Sequence, residues 1–195
     1  MGGWNHNIHY HGIVLEAVPP GCRRALDVGC GAGLLTGKLA GGCEEVVGID
    51  VDRRELHDSI RFIEGDVMSY PFAKGSFDLI TVVATLHHLP LRPALARFRE
   101  LLRPGGVLVV IGLYRVETFQ DYALAAVAIP ISRIFRCLRG QPEVNARLQE
   151  PKETLREIRA ACDGVLPGGV FRWLLFLRYS FVWRKGLQAN ASSGK

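Results

Sequence analysis

The sequence predicts an α/β fold: a seven-stranded, mostly parallel sheet with one antiparallel strand and helices on both faces. Three observations predict it. Apolar, strand-like runs alternate with helix-like segments over 24–113, the pattern of repeated βαβ units. One such run feeds a glycine-rich turn that opens a helix around residue 33. The chain then closes with two β-like runs, over 170–176 and 178–184, whose link is too short for a helical crossover, so they pair as a hairpin.

Each element follows from local pattern. An amphipathic segment over 9–18 predicts a first helix, stopped by Pro19, Pro20 and Gly21. The first strand is 24–28 (RALDV), and the helix after it, 33–39, ends at Gly41 and Gly42. The second strand is 45–49 (EVVGI); a short helix over 53–59 leads to the third, 60–64 (IRFIE). A polar loop over 65–75 precedes the fourth strand, 77–83 (FDLITVV), a near-continuous apolar run suited to burial on both faces. A helix over 93–102 and a turn at Pro104, Gly105 and Gly106 lead to the fifth, 107–113 (VLVVIGL). Beyond it, 118–138 reads as a long apolar helix bent at Pro130. An amphipathic helix follows over 151–162, with Leu155, Ile158 and Cys162 on one face.

A chain of 195 residues fits one domain, here 1–187, with 1–20 as an N-terminal cap, 114–150 as a lid-like insertion and 188–195 as a flexible polar tail. Charge is uneven. Residues 1–89 hold 7 Lys/Arg against 11 Asp/Glu, whereas 90–195 hold 17 against 8. The basic half reads either as a solvated face or as an attraction for an anionic substrate or surface. Cys22, Cys30, Cys43, Cys137 and Cys162 are odd in number and form no C-x-x-C pair, which argues against a disulfide scaffold and a metal site and fits a reducing, cytoplasmic setting. The start, MGGWNHNIHYH, lacks the basic-then-apolar order of a signal peptide, and no uninterrupted apolar stretch is long enough to span a membrane.

The strongest signal is ALDVGCGAG over 25–33, a strand entering a G-x-G-x-G turn. Glycine there lets the backbone turn sharply and approach a ligand. A dinucleotide fingerprint would place Gly or Ala at position 34, where this chain has Leu34. Asp27, just ahead of the first glycine, would repel a pyrophosphate but can receive the ammonium of an amino-acid moiety. Asp50 ends the second strand, in VVGIDVD, where an acid can accept from both ribose hydroxyls. After the third strand, Asp66 can accept from an adenine amino group while the Val67 N–H donates to a ring nitrogen. Three carboxylates therefore stand at three strand ends.

Taken together, ALDVGCGAG, VVGIDVD, IEGDVMSYPF, GSFDLITVVATLHHLP and LLRPGGVLVV resemble the motif set of class I S-adenosylmethionine (SAM)-dependent methyltransferases, over about residues 22–113. The closing RYSFVWRK is similar to that family's final strands. The resemblance implies a Rossmann-like domain with SAM as methyl donor and S-adenosylhomocysteine (SAH) as product. It implies Asp50 on ribose, Asp66 and Val67 on adenine, and Asp27, Gly29 and Gly31 near the methionine end, with Cys30 of the same turn as a further cofactor contact. Val51 would pack on the adenine face and Val83 would line the methionine part.

The candidate base is the pair His87-His88 after the fourth strand; the competing reading is a structural role. Trp4, His6, His9, Tyr10 and His11 crowd the N-terminal segment, read either as a cap over the cofactor or as a surface helix with packed aromatics. In the cap reading Tyr10 and His11 lie near the methionine end and Trp4 and His6 nearer the substrate. Phe119 and Tyr122 in the insertion are candidate substrate contacts or ordinary core. ATLHHL stands where amino-methylating DNA enzymes carry N-P-P-[YF], and no RNA-binding module fits, so the expected acceptor is a small molecule and not nucleic acid. O-, N- and C-methylation stay open, as do a monomer or homodimer, a non-catalytic SAM-binding protein, and a peripheral enzyme acting on a lipid or quinone through residues 114–140.

Overall fold

The computed structural model describes residues 6–52, 61–117, 149–175 and 177–187, with side chains described from Ile8 onward. The expected helices over 53–59 and 118–138, the tail 188–195, and Trp4, Phe119 and Tyr122 lie outside the described residues, as does the side chain of His6.

Seven strands form one sheet: β1 (Cys22–Val28), β2 (Cys43–Asp50), β3 (Arg61–Glu64), β4 (Phe77–Val83), β5 (Leu102–Leu113), β6 (Val170–Leu174) and β7 (Arg178–Arg184). Their order is β3-β2-β1-β4-β5-β7-β6. The first five run parallel, and β7 is antiparallel to both β5 and β6. The expected architecture is therefore present, with the hairpin placing β7 inside the sheet and β6 at its edge. The order reverses between β1 and β4, so the ligand crevice of such a sheet lies at their carboxyl ends.

Alternation along the strands builds two cores. On one face, Ala25, Leu79 and Val109 pack in a cluster with Val14 of α2 (His11–Glu16) and Leu35 and Leu39 of α3 (Leu34–Leu39). On the other, Leu26, Val28, Ile80 and Val110 join Phe98 and Leu101 of α4 (Leu91–Leu101) and Ile158 and Cys162 of α5 (Leu155–Val165). Each fully buried aliphatic side chain contributes about 1.5–3 kcal/mol, so burial on both sides explains why β4 and the 107–113 part of β5 read as nearly unbroken apolar runs.

Several boundaries differ from the sequence reading. The N-terminal helix is two pieces, α1 (His6–His9) and α2, parted at Tyr10. β1 begins at Cys22 and β2 at Cys43, both earlier than the apolar pattern suggests. The turn expected at 104–106 is a bulge inside β5: Phe77 pairs with Leu102 but Leu79 with Val107. Helix α5 starts at Leu155, because Thr154 and Glu157 form a capping box: the Thr154 Oγ1 accepts from Glu157 N–H at 3.3 Å, and Glu157 Oε2 accepts from Thr154 N–H at 2.8 Å.

The expectation against disulfides is corrected in one place. Cys22 and Cys43 are register partners on adjacent strands with Cα atoms 4.6 Å apart, and they are joined. Their distance in the sequence hides a proximity that only strand pairing creates. Cys30 and Cys162 are buried thiols outside any disulfide. Among the described residues no helix is long and apolar enough to cross a membrane, and no cluster of metal-ligating side chains exists.

Candidate functional site

A cavity of about 550 Å³ opens at the carboxyl ends of β1, β2, β4 and β5. This volume falls within the roughly 300–1,000 Å³ typical of ligand pockets. Its wall contains Asp27, Gly29, Cys30, Gly31, Asp50, Val51, Asp66, Val67, Val83, His11, His87 and His88. The structure thus brings together every described cofactor and base candidate except Tyr10. The Tyr10 ring is instead buried in the cluster with Val14 and Leu79, and its hydroxyl donates to the Leu175 carbonyl at 2.6 Å. There it ties the N-terminal segment to the β6–β7 hairpin.

The glycine turn is pinned from two sides. Gly29 N–H donates to the Ile49 carbonyl at 2.8 Å, and Gly31 N–H donates to Asp50 Oδ2 at 2.9 Å. The other Asp50 oxygen accepts from Asp52 N–H at 3.0 Å. A carboxylate has about four lone-pair sites, so Asp50 keeps capacity for a bound hydroxyl pair. Glycines 29, 31 and 33 all have positive φ, and each shapes the turn. Gly31 faces open space where a side chain would begin, the room a ligand's closest approach needs. Asp66 anchors the third loop, its Oδ1 accepting from Met68 N–H at 2.9 Å. These residues fit the donor and acceptor set of an adenosine bearing an amino-acid arm.

Asp27 is only 2% exposed. Its carboxylate accepts from Thr36 Oγ1 at 2.7 Å and Thr81 Oγ1 at 2.8 Å. Burial pushes its pKa up to about 6, against the pull of those two hydroxyls and with help from the nearby Asp50 charge. The folded protein thus holds the Asp27 proton more tightly than the unfolded chain, whose carboxyl titrates near 3.8. Stability from this group is complete below pH 4, is lost as pH rises to 6, and stays lost above it. Asp27→Asn removes the buried charge, and Thr81 can turn its hydroxyl toward the Leu26 carbonyl, 3.4 Å away. The variant is expected to be about 2 kcal/mol more stable than the parent at pH 8 and no more stable at pH 4. Urea denaturation at both pH values checks this; an equal effect at the two would refute it.

His11 and His87 behave in the opposite sense. Burial, and next the Lys38 charge, lower the His11 pKa to about 4. Burial lowers that of His87 to about 4, with His88 and Arg178 adding to the effect. Both rings are therefore neutral at pH 7, and their contribution to stability is lost as pH falls from 6.5 toward 4. In the Asp27 comparison this background cancels. The Nδ1 atoms of His11 and His87 are buried without a hydrogen-bond partner, whereas His88 Nδ1 meets Gln149 Oε1 at 2.9 Å. The two rings of the pair lie 4.0 Å apart between centroids.

Sequence reasoning missed Arg178. It starts β7, pairs in register with Leu113 and lines the cavity while only 8% exposed. Burial lowers its pKa to about 10, so it remains a cation at neutral pH. In sequence it is one arginine in a strand otherwise legible by its apolar residues. Only the position of β7 against β5 turns it toward the site.

Comparison with known proteins agrees with this geometry. A family model described as a methyltransferase domain matches residues 26–110. An uncharacterized methyltransferase of Mycobacterium tuberculosis is 33% identical, over 93% of this chain and 96% of that protein. A demethylmenaquinone methyltransferase of Staphylococcus aureus is 33% identical over a shorter part, 44% of this chain and 41% of its own. Among solved structures, Burkholderia thailandensis 1,6-didemethyltoxoflavin-N1-methyltransferase, with that compound and SAH bound, has a similar fold at a TM-score of 0.63 and 16% identity. It matches over 91% of this chain and 77% of its own.

Proposed function

This chain belongs to the class I SAM-dependent methyltransferases, and from that premise we propose that it methylates a small-molecule acceptor held at the His87–His88 end of the cavity. The observation that carries the reading is the continuity of one cavity. It runs from the glycine turn, Asp50 and Asp66, which suit the adenosine end of the cofactor, to His87, His88, Leu113 and Arg178 beyond β4.

When bound, SAM supplies an activated methyl on its sulfonium. The residues of this chain then have three tasks. Asp50 orients the ribose while its bonds to Gly31 and Asp52 hold the turn in shape. Asp66 and the Val67 N–H orient the adenine, and Val51 covers it. His87, kept neutral by burial, accepts a proton from a hydroxyl acceptor as its oxygen takes the methyl, or from an ammonium before the freed amine attacks. Holding donor and nucleophile in line can lower the barrier by roughly 7–11 kcal/mol in well-oriented systems.

Two measurements test this. Incubating the protein with methyl-labelled SAM and a library of small hydroxyl, amine and thiol compounds should label at least one product. Failure to label any, in a protein that binds SAM tightly, would favour a non-catalytic SAM-binding role. Separately, the His87 ring should show no titration above pH 5 by NMR with SAH bound. An inflection between pH 6 and 7 would mean the ring is solvated and not the buried neutral base proposed.

A further inference from the structure

We propose that Arg178 is the acceptor-recognition residue of this cavity and that the acceptor carries a carboxylate, bound by the Arg178 guanidinium. The inference rests on the methyltransferase reading and specifies its substrate class.

The argument begins with an unbalanced charge. Arg178 is more than nine-tenths buried, and its Nε and Nη1 are closed off from water without a hydrogen-bond partner. Among the described residues no carboxylate lies within ion-pair distance of it. Among the described residues the buried carboxylates are used elsewhere: Asp78 accepts from the Arg23 and Arg24 amides and pairs with Arg103, while Asp27 is held by two threonines. Burying an unpaired cation costs several kcal/mol. A fold tolerates that where a ligand completes the pair, and the side chain lines the cavity.

Position assigns the carboxylate to the acceptor. Arg178 stands level with Leu113 at the carboxyl end of β5, and the register carries that level across β4 to the glycine turn after β1. β7 lies three strands from β1, roughly 14 Å away. Arg178 therefore faces the region beyond the methionine end. It is near enough to His87 to help hold that ring neutral, so cation and proposed base share one end of the cavity. A planar, permanently charged guanidinium is suited to a carboxylate, with which it forms paired charge-assisted hydrogen bonds. The basic balance of the C-terminal half, 17 Lys/Arg against 8 Asp/Glu over 90–195, agrees with an anionic acceptor.

The test measures binding to the SAH-loaded protein. Benzoate, phenylacetate and succinate are each titrated against the corresponding amide, which keeps the shape and removes the charge. At least one acid should bind the parent protein roughly tenfold tighter than its amide. Arg178→Gln should abolish that preference and leave SAH affinity within about threefold of the parent. Arg178→Lys, which keeps the charge and the burial, should retain part of the preference and guards against a folding artefact. The proposal is overturned if no acid is preferred by the parent, or if the preference survives in Arg178→Gln. It is also overturned if Arg178→Gln weakens SAH but not 5′-methylthioadenosine, since the carboxylate would then be the cofactor's own. Failure of the parent to bind SAH at all is a separate outcome, which overturns the cofactor reading beneath this one.

Discussion

Asp50→Ala should weaken SAM and SAH binding by about 100- to 1,000-fold while the protein remains folded. The side chain serves two ends. It is placed to accept the ribose hydroxyls, and it already accepts from the Gly31 and Asp52 amides at 2.9 and 3.0 Å. Alanine removes the charged acceptor for the ligand, at about 1.5–3 kcal/mol per hydrogen bond to a charged group. It also frees the Gly31 N–H and loosens the turn that meets the ligand. The fold should survive because both protein bonds lie at the mouth of the crevice and the β2 ladder to β1 and β3 is untouched. Titration calorimetry with SAM, SAH and, as a control, NAD measures this. A change under about fivefold in the variant would remove Asp50 from the ligand. Tight binding of NAD would contradict the cofactor assignment.

Gly29→Val should lower stability by about 4 kcal/mol and the melting temperature by roughly 8–16 °C, and should abolish SAH binding. Gly29 has φ +69°, a region that a β-branched residue enters only with strain. Any side chain there would also overlap that of Thr85, which is fixed by its bond to the Val83 carbonyl at 3.0 Å. The two costs can be separated. Thr85→Gly should recover the steric part in the double variant and leave the backbone part. Gly31→Ala, at φ +51° but with open space ahead, should show the backbone part alone, about 1 kcal/mol. Thermal melts of the four proteins decide it. A Gly29→Val melt no lower than that of Gly31→Ala would mean Thr85 yields, and the turn is softer than its hydrogen bonds suggest.

Much of this site was legible because its elements are local. A strand, three glycines and an acid at the next strand end all lie between Ala25 and Asp50, and each follows from a short-range rule about backbone reach or burial. The T-x-x-E box at 154–157 was equally local and gives the α5 start, which periodicity alone placed at 151. Tyr10 shows the limit of such rules. Its place among aromatic and imidazole neighbours suggested the cavity, but the helix break at that residue turns the ring into the core and the hydroxyl toward Leu175.

The sheet of parallel units, the closing hairpin, the glycine turn and the acids at three strand ends are all written into the order of residues. These depend on contacts among near neighbours and on short apolar runs buried on both faces of the sheet. Which distant residues complete the site follows from how the strands assemble. Insertion of β7 beside β5 brings Arg178 to the wall, far along the chain from its partner Leu113, and the pairing of β1 with β2 brings Cys22 onto Cys43. Neither proximity leaves a periodic trace, because pairing register is set by the packing of whole strands and not by the residues that happen to meet across it.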